Sequence, residues 1–298
     1  MELYATGSNA WGQLELDPST PHDLNDIFEF TKIAAGDTIE TPIARLVYTI
    51  VKVDGVYRVA GHLPDRSMAP KLAEVVVRAN GDSLRLEKAD PFLTLSKNVN
   101  GKIEEESFLV TQPIKKLVGF DTGFAILYQD GVVATMGDAR FPATLGRQVT
   151  EKEPAEAFAS VDDLVQLQDP VKHISACGYA TAALTKMGSV YIWGQHPPSR
   201  KKERPFLPDL FAFANCTDIA DGRDIEDFAL GETHAIALTS DAEVYVTGNN
   251  ENGQLGMPSI TSTRTWTRLE FYLPQCSRII GVAAGPHTSF LLVSNVDY

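Results

Sequence analysis

The stretch "ELYATGSNAWGQL" at Glu2–Leu14 has a counterpart in "EVYVTGNNENGQL" at Glu243–Leu255. Each is an alternating run that ends in Gly and is followed by Asn-x-x-Gly-Gln-Leu. Alternation with a period of two, broken by turn residues, is the pattern of a β-strand and its turn. Four segments, the last overlapping the second of these stretches, share a wider frame: Ile50–Gly61, Ile126–Gly137, Ala183–Gly194 and Ala237–Gly248. Each has two β-rich runs around a polar turn and ends in Gly, which predicts a hairpin. Upstream of each stands an apolar run with a small residue and Gly near its end: "KIAAG" (Lys32–Gly36), "KLVGF" (Lys116–Phe120), "HISACG" (His173–Gly178) and "DFALG" (Asp227–Gly231). Three antiparallel strands are therefore visible per unit, and the variable connector has room for a fourth. Four-stranded sheets repeated around an axis are the blades of a β-propeller, so the expected fold is all-β.

The two ends of the chain complete one another. "IIGVAAGPHTSFLLV" (Ile279–Val293) supplies the first part of a unit, and "ELYATG" at the start supplies the missing second part. The closing glycines at 7, 61, 137, 194 and 248 are 54, 76, 57 and 54 residues apart, and the route from 248 through both ends to 7 takes 57. The N-terminal strand is therefore expected to pair into the last blade and remove its open edge. The long 76-residue interval hides a worn unit, with Glu74–Gly81 as its upstream strand and Phe92–Glu106 as its hairpin. Six units are readable in a single propeller spanning 1–298. A helical insertion is expected only at about 150–168, where Pro154 would open a helix with Phe158, Val161, Leu164, Val165 and Leu167 as its apolar positions.

Composition narrows the function classes. Hydrophobic content of 44% suits a packed protein, and no apolar run reaches the roughly 18 residues of a membrane span. The net charge of −13 repels phosphate backbones and anionic membranes, so neither nucleic acid nor membrane is an expected partner. The start of the chain lacks a basic-then-apolar leader, which makes the cytoplasm the expected location, with the nucleus as second. The three cysteines are far apart, and reduced, mostly buried thiols are expected. "SRKKER" (Ser199–Arg204) is the one basic island, and its flanking prolines mark it as a solvated loop. No nucleophile elbow, phosphate loop or zinc-protease motif is present, and the six His residues are scattered. His173 and Cys177 make at most half a metal site. The expectation is a binding protein and not an enzyme, monomeric, without cofactor or metal.

In a propeller, equivalent turns of successive blades gather on one rim. By repeat equivalence the residues near each small-Gly strand end are Asp37, Asp82, Phe120, Asp121, Tyr179, Glu232, His234, Pro286 and His287. Together they predict an acidic, aromatic-studded rim of the kind used to recognise proteins. The same residue types also favour turns without any binding role.

The units resemble the repeats of the regulator of chromosome condensation family. That repeat pairs an A-C-G-x-x-H-T-type strand end with a hairpin closing on W-G and then N-x-x-G-Q-L-G. The best copies here are Ala229–Gly256, Ser175–Gly194, and the split copy joining "VAAGPHTSFLLV" to "LYATGSNAWGQL". The resemblance implies seven blades. It also implies two functions. One is a guanine-nucleotide exchange factor for a small nuclear GTPase, with Asp121, His234 and His287 at GTPase-contacting positions. That activity usually comes with a basic tail and an inserted wedge, which are not recognisable here. The other follows from similarity to the short alpha-tubulin suppressor, or killer-toxin-insensitivity, adaptors. It implies a partner that is a small zinc electron-carrier protein of diphthamide synthesis and Elongator-dependent tRNA modification.

Overall fold

In a computed structural model of the chain, residues 1–16, 24–87, 92–197 and 210–295 are described. The basic island Ser199–Arg204 and His22 lie outside the described residues. The described residues form six antiparallel sheets, here blades I–VI, and divide into two compact units. Among the described residues helix is limited to short turns, and none is long and apolar enough to cross a membrane.

The first unit comprises residues 1–70 and 218–295 and holds blades I, II and VI. Blade I contains both ends of the chain: its strand order is Ile27–Ala35, Glu2–Gly7, Thr288–Asn295, Ser277–Gly285. Glu2–Gly7 pairs without a break from Glu2↔Val293 to Gly7↔Thr288. Leu3 and Ala5, on one face of this strand, are fully buried. Blade II is Ile43–Ala44, Tyr48–Val53 and Val56–Gly61; blade VI is Ile225–Leu230, His234–Thr239, Val244–Asn249 and Ser262–Arg268. Lys32–Gly36 was expected to lead into blade II. Its residues instead belong to the outer strand of blade I, where Ile33 and Ala34 join the core between blades I and II. A small-Gly ending therefore marks a strand about to turn, whichever place in the sheet that strand holds.

The repeated Asn-x-x-Gly-Gln-Leu phrase is a self-bonded turn. Asn9 Oδ1 accepts from Leu14 N at 3.0 Å, and Gln13 Oε1 accepts from Trp11 N at 2.8 Å. In the second copy Asn250 Oδ1 accepts from Leu255 N at 2.7 Å, and Gln254 Oε1 accepts from Asn252 N at 2.9 Å. Each turn drives its Leu into a core shared by two blades. Leu14 sits among residues of blades I and II, and Leu255 among residues of blades VI and I.

The second unit comprises residues 71–197 and 210–217 and holds blades III, IV and V. Blade III is Val75–Val77, Ser83–Leu86, Phe92–Val99 and Lys102–Leu109. Its expected hairpin Phe92–Glu106 exists, but it forms the third and fourth strands and not the second and third. The short Ser83–Leu86 strand takes the second place, with Leu84 buried. Blade IV is Ile114–Phe120, Gly123–Tyr128, Val133–Gly137 and Ala159–Ser160; blade V is Val171–Cys177, Ala180–Thr185, Val190–Gly194 and Asn215–Thr217.

The helix expected at about 150–168 is mostly absent. Ala159–Ser160 is the fourth strand of blade IV, and helix covers only Asp162–Val165. The cause is Arg147, a buried side chain whose guanidinium donates to the carbonyls of Thr135, Gln148, Glu153, Pro154 and Ala157 at 2.8–3.3 Å. Three of those carbonyls, of Glu153, Pro154 and Ala157, lie in the expected helix, and the guanidinium gathers them around itself in a non-helical course. Of the cysteines, Cys177 is half-buried while Cys216 and Cys276 are exposed, and none forms a disulfide.

Replacing Arg147 with Met leaves those carbonyls without their donor. A loss of about 3 kcal/mol is expected in urea titration. Faster amide exchange at Ala159–Val161 should accompany it; unchanged exchange there would show that Arg147 does not shape the segment. A second prediction concerns Gly248, at φ +115°, where an added Cβ would stand 2.3 Å from the Thr233 carbonyl oxygen. Gly248→Ala should cost about 3 kcal/mol or more, measured as a shift in denaturation midpoint.

Candidate functional site

One hydrogen bond identifies equivalent positions in five blades. The residue after each closing Gly donates its N–H to a carbonyl in the turn between the blade's first two strands. The pairs are Ser8 to His287 (2.8 Å), His62 to Val47 (2.8 Å), Asp138 to Thr122 (2.9 Å), Gln195 to Tyr179 (3.1 Å) and Asn249 to Thr233 (2.9 Å). Exposed side chains of these turns make the candidate docking surface, which is described for each unit separately.

In the first unit, Glu232 N donates to Pro286 O at 3.0 Å and ties the turn of blade VI to that of blade I. The Glu232 carboxylate lies 3.4 Å from His287 Nε2, an ion pair whenever that imidazole is protonated. Blade II contributes Leu46 and Val47. Gln13 Nε2 donates to Leu46 O at 3.2 Å, bringing the 9–14 turn alongside. Trp11 and Leu46 are 54% and 55% exposed, and the Trp11 ring stands 6.0 Å from that of His62. Trp11, Leu46 and His62 were not among the expected rim residues. The signal available was that each lies beside a closing-Gly frame, at a position where a hydrophobic or aromatic side chain has no turn-forming duty.

In the second unit, Asp121 N donates to Gly178 O at 2.8 Å, and Asp121 O accepts from Ala79 N at 3.1 Å, joining the turns of blades III, IV and V. Tyr179 packs edge-on against Phe141 at 5.5 Å, and the Arg140 guanidinium lies 5.6 Å over Phe141. Arg140 also pairs with Asp138 at 2.6 Å, and its donated bonds hold the Asp138 carboxyl below its ordinary pKa. Tyr179, Phe141, Arg140 and Asp138 thus form one continuous strip.

Four of the expected rim residues do other work. Asp37 is exposed but lies at the opposite end of its blade: its neighbour Thr38 exchanges bonds with Asp54, in the far turn of blade II, at 2.8 and 2.9 Å. Phe120 is buried in the core between blades IV and V because its strand turns that face inward. Asp82 is buried and held by Arg78 and Asn80. Burial alone would raise its pKa, and these bonds outweigh that and lower it. His234 is fully buried, with Nε2 2.9 Å from Ser289 Oγ, which donates in turn to Gln254 O at 2.7 Å. An added Cβ at Gly231 would stand 1.9 Å from the His234 ring, so the imidazole lies flat on bare backbone. Asp121, Tyr179, Glu232, Pro286 and His287 remain at the turns. His173 contacts Lys116 Nζ at 3.3 Å, and among the described residues no group of three His, Cys, Asp or Glu side chains is placed to hold a metal.

A model of the regulator of chromosome condensation (RCC1) repeat matches residues 225–254, the span of blade VI that holds Glu232 and His234. The match is confined to that one repeat of the chain. It is 30% identical to the regulator of chromosome condensation of Mus musculus over 149 residues, 46% of this chain and 32% of that protein. It is 33% identical to the E3 ubiquitin-protein ligase HERC2 of Homo sapiens over 114 residues, 36% of this chain and 2% of that protein. The matched span thus amounts to about a third of the former relative's length and a small fraction of the latter's. Among solved structures, Prp20p of Saccharomyces cerevisiae superposes with a TM-score of 0.63 at 14% identity, over 99% of this chain and 92% of that one. Human WBSCR16 does so with a TM-score of 0.61 at 13% identity, over 99% and 100%. The fold is an RCC1-type β-propeller arrangement whose described residues make six blades, where the family resemblance implied seven.

His234 gives the stability of this chain a pH dependence. Burial, then the neighbouring His287, pushes the His234 pKa down from its ordinary 6.5 to about 3. The unfolded chain therefore takes up a proton below pH 6.5 that the folded chain refuses, and stability falls as pH falls. From pH 7 to pH 5 the loss from this one group is roughly 2 kcal/mol. In His234→Gln the decline over that interval should be shallower, whatever its absolute stability; an equally steep decline would assign the effect to other groups.

Proposed function

We propose that this chain is a protein-binding propeller that docks its partner on the turn surface of the first unit, with Trp11 as the anchor. The observation that carries this is the comparison of twin turns. Asn252 holds the place of Trp11 in the second Asn-x-x-Gly-Gln-Leu turn, and the turn forms with the same hydrogen bonds. The fold therefore does not require an indole at position 11, yet a half-exposed Trp stands there with His62 and exposed Leu46 near it. Exposed aromatic side chains on rigid turns are the residues that dominate protein interfaces. RCC1-type propellers act as binding or exchange-factor proteins, and the reading has the same character.

The specific partner in this reading is a small zinc-binding electron-carrier protein serving diphthamide synthesis and Elongator-dependent tRNA modification. What supports it is the resemblance to the short adaptor members of the family. A second reading is exchange factor for a small GTPase. It is favoured by the match to the mouse regulator and by the likeness to Prp20p, whose structure is described with its binding to Gsp1p and histones. In either case the cytoplasm is the expected site of action, with the nucleus as second, and the chain acts as a monomer without cofactor.

Calorimetric titration of the zinc carrier with the full chain, alongside release of a fluorescent guanine nucleotide from a small nuclear GTPase, separates the two. The adaptor reading expects saturable binding that Trp11→Ala weakens about thirtyfold, the loss of a roughly 2 kcal/mol anchor, with stability within about 0.5 kcal/mol of the parent. Substoichiometric acceleration of nucleotide release would replace it with the exchange-factor reading. Unaltered partner affinity in Trp11→Ala would remove this surface from the docking site.

A further inference from the structure

The outer strands of the blades differ in how their open edges are protected. In blades IV and V the outer strand is two or three residues long. In blades I and VI it is long, but its register is broken by irregularities. Val56–Gly61 in blade II is six residues long, with only Val56 and Arg58 exposed. Lys102–Leu109 in blade III has neither device. It is eight residues long, pairs without a break from Phe92↔Leu109 to Val99↔Lys102, and only Phe108 is not exposed. Short strands and bulges are the usual defences against pairing with another chain, and a long flat edge invites it.

The turn at its tip settles which backbone groups face outward. Asn100 and Gly101 have φ +52° and +80°, the paired positive angles of a two-residue hairpin turn. In such a turn Val99 C=O accepts from Lys102 N–H, so Lys102, Glu104 and Glu106 bond inward. By alternation Ile103, Glu105 and Ser107 turn their N–H and C=O away from the sheet. Within this hairpin Ser83–Leu86 pairs with Leu93–Ser96 alone, so the stretch from residue 97 to residue 104 also reaches past its neighbouring strand.

The side chains say what such an edge would accept. Glu104, Glu105 and Glu106 are consecutive and exposed, and two exposed apolar residues, Ile103 and Leu109, flank them. Lys97 pairs with Glu106 at 2.9 Å and offsets one of the three charges. Two copies of this edge laid together would set carboxylates against carboxylates, which disfavours self-pairing. An incoming strand with basic residues opposite the glutamates gains at the same positions, because opposite charges across a strand pair attract.

We propose that Lys102–Leu109 is a docking edge that accepts an extended segment of a partner protein as a fifth strand of blade III. The segment alternates Lys or Arg, opposite Glu104 and Glu106, with apolar residues on the face of Ile103 and Leu109. Main-chain hydrogen bonds would supply the attraction and the charges the selectivity, as in strand addition to other sheet edges. The surface is distinct from the turns that carry Trp11, so the two can be tested apart.

The probe is a fluorescently labelled, end-blocked ten-residue peptide alternating lysine with valine, titrated against the full chain by anisotropy. Saturable binding is expected, and a glutamate–valine peptide should not compete. N-methylation of alternate peptide amides should weaken binding at least about tenfold, since it removes several main-chain donors without altering the protein. Glu105→Pro removes an outward N–H at a position where an edge strand tolerates proline, and should have a similar effect. The double variant Glu104→Lys, Glu106→Lys should reverse the preference toward the glutamate–valine peptide, while Trp11→Ala should bind the lysine–valine peptide as the parent does. Absence of saturable binding, or equal affinity for the N-methylated peptide, would overturn the proposal. So would a concentration-dependent dimer, seen by sedimentation and lost in Glu105→Pro, because it would assign the edge to a second copy.

Discussion

In each of five blades, backbone meets backbone at a closing glycine, and the rest of the structure follows from that approach. At Gly7 and Gly248 a methyl group would lie 2.3 Å from a carbonyl oxygen across the strand pair, and Gly61, Gly137 and Gly194 stand in the same relation to their own turns. With no side chain in the way, the next residue's N–H reaches the same carbonyl at 2.8–3.1 Å. The third strand is thereby locked to the turn between the first two. Every turn built this way presents its variable residues in the same local geometry, which is why a docking surface can be assembled from residues far apart in the chain.

The same economy of backbone contacts links neighbouring blades. Glu232 N reaches Pro286 O in one unit, and Asp121 N reaches Gly178 O in the other. These bonds use main-chain atoms, so side chains at the linked positions are free to vary in chemistry. Below the turns, buried leucines such as Leu14 and Leu255 fill the wedge between sheets. Burial of each such side chain contributes on the order of 2 kcal/mol. The first and last strands of the described chain share blade I, so this packing also secures the two ends to one another.

Two buried polar side chains, one in each unit, are held by their surroundings. His234 is kept neutral by burial and by the neighbouring His287, with Nδ1 lacking a hydrogen-bond partner. Arg147 is sunk into the second unit and held by backbone carbonyls. Both are polar groups whose neighbours are committed to them, and both therefore favour one local arrangement over its alternatives. His234 was an expected contact residue and is fully buried; Trp11 was not among the expected rim residues and stands 54% exposed on that surface.

The hairpins, the closing glycines and the union of the two ends could be read from the amino-acid order, because strand alternation and turn chemistry are local and repeat at a near-constant spacing. So could the positions of Asp121, Tyr179, Glu232, Pro286 and His287, which follow from the repeat frame. Tertiary structure alone decided the remainder. Whether Lys32–Gly36 serves blade I or blade II depends on which core receives Ile33. Whether residues 151–168 coil into a helix depends on a guanidinium that claims their carbonyls. Whether His234 or Trp11 meets solvent depends on which sheet lies above it. Each of these outcomes is set by contacts between residues distant in the chain, and such contacts leave no period in the sequence to read.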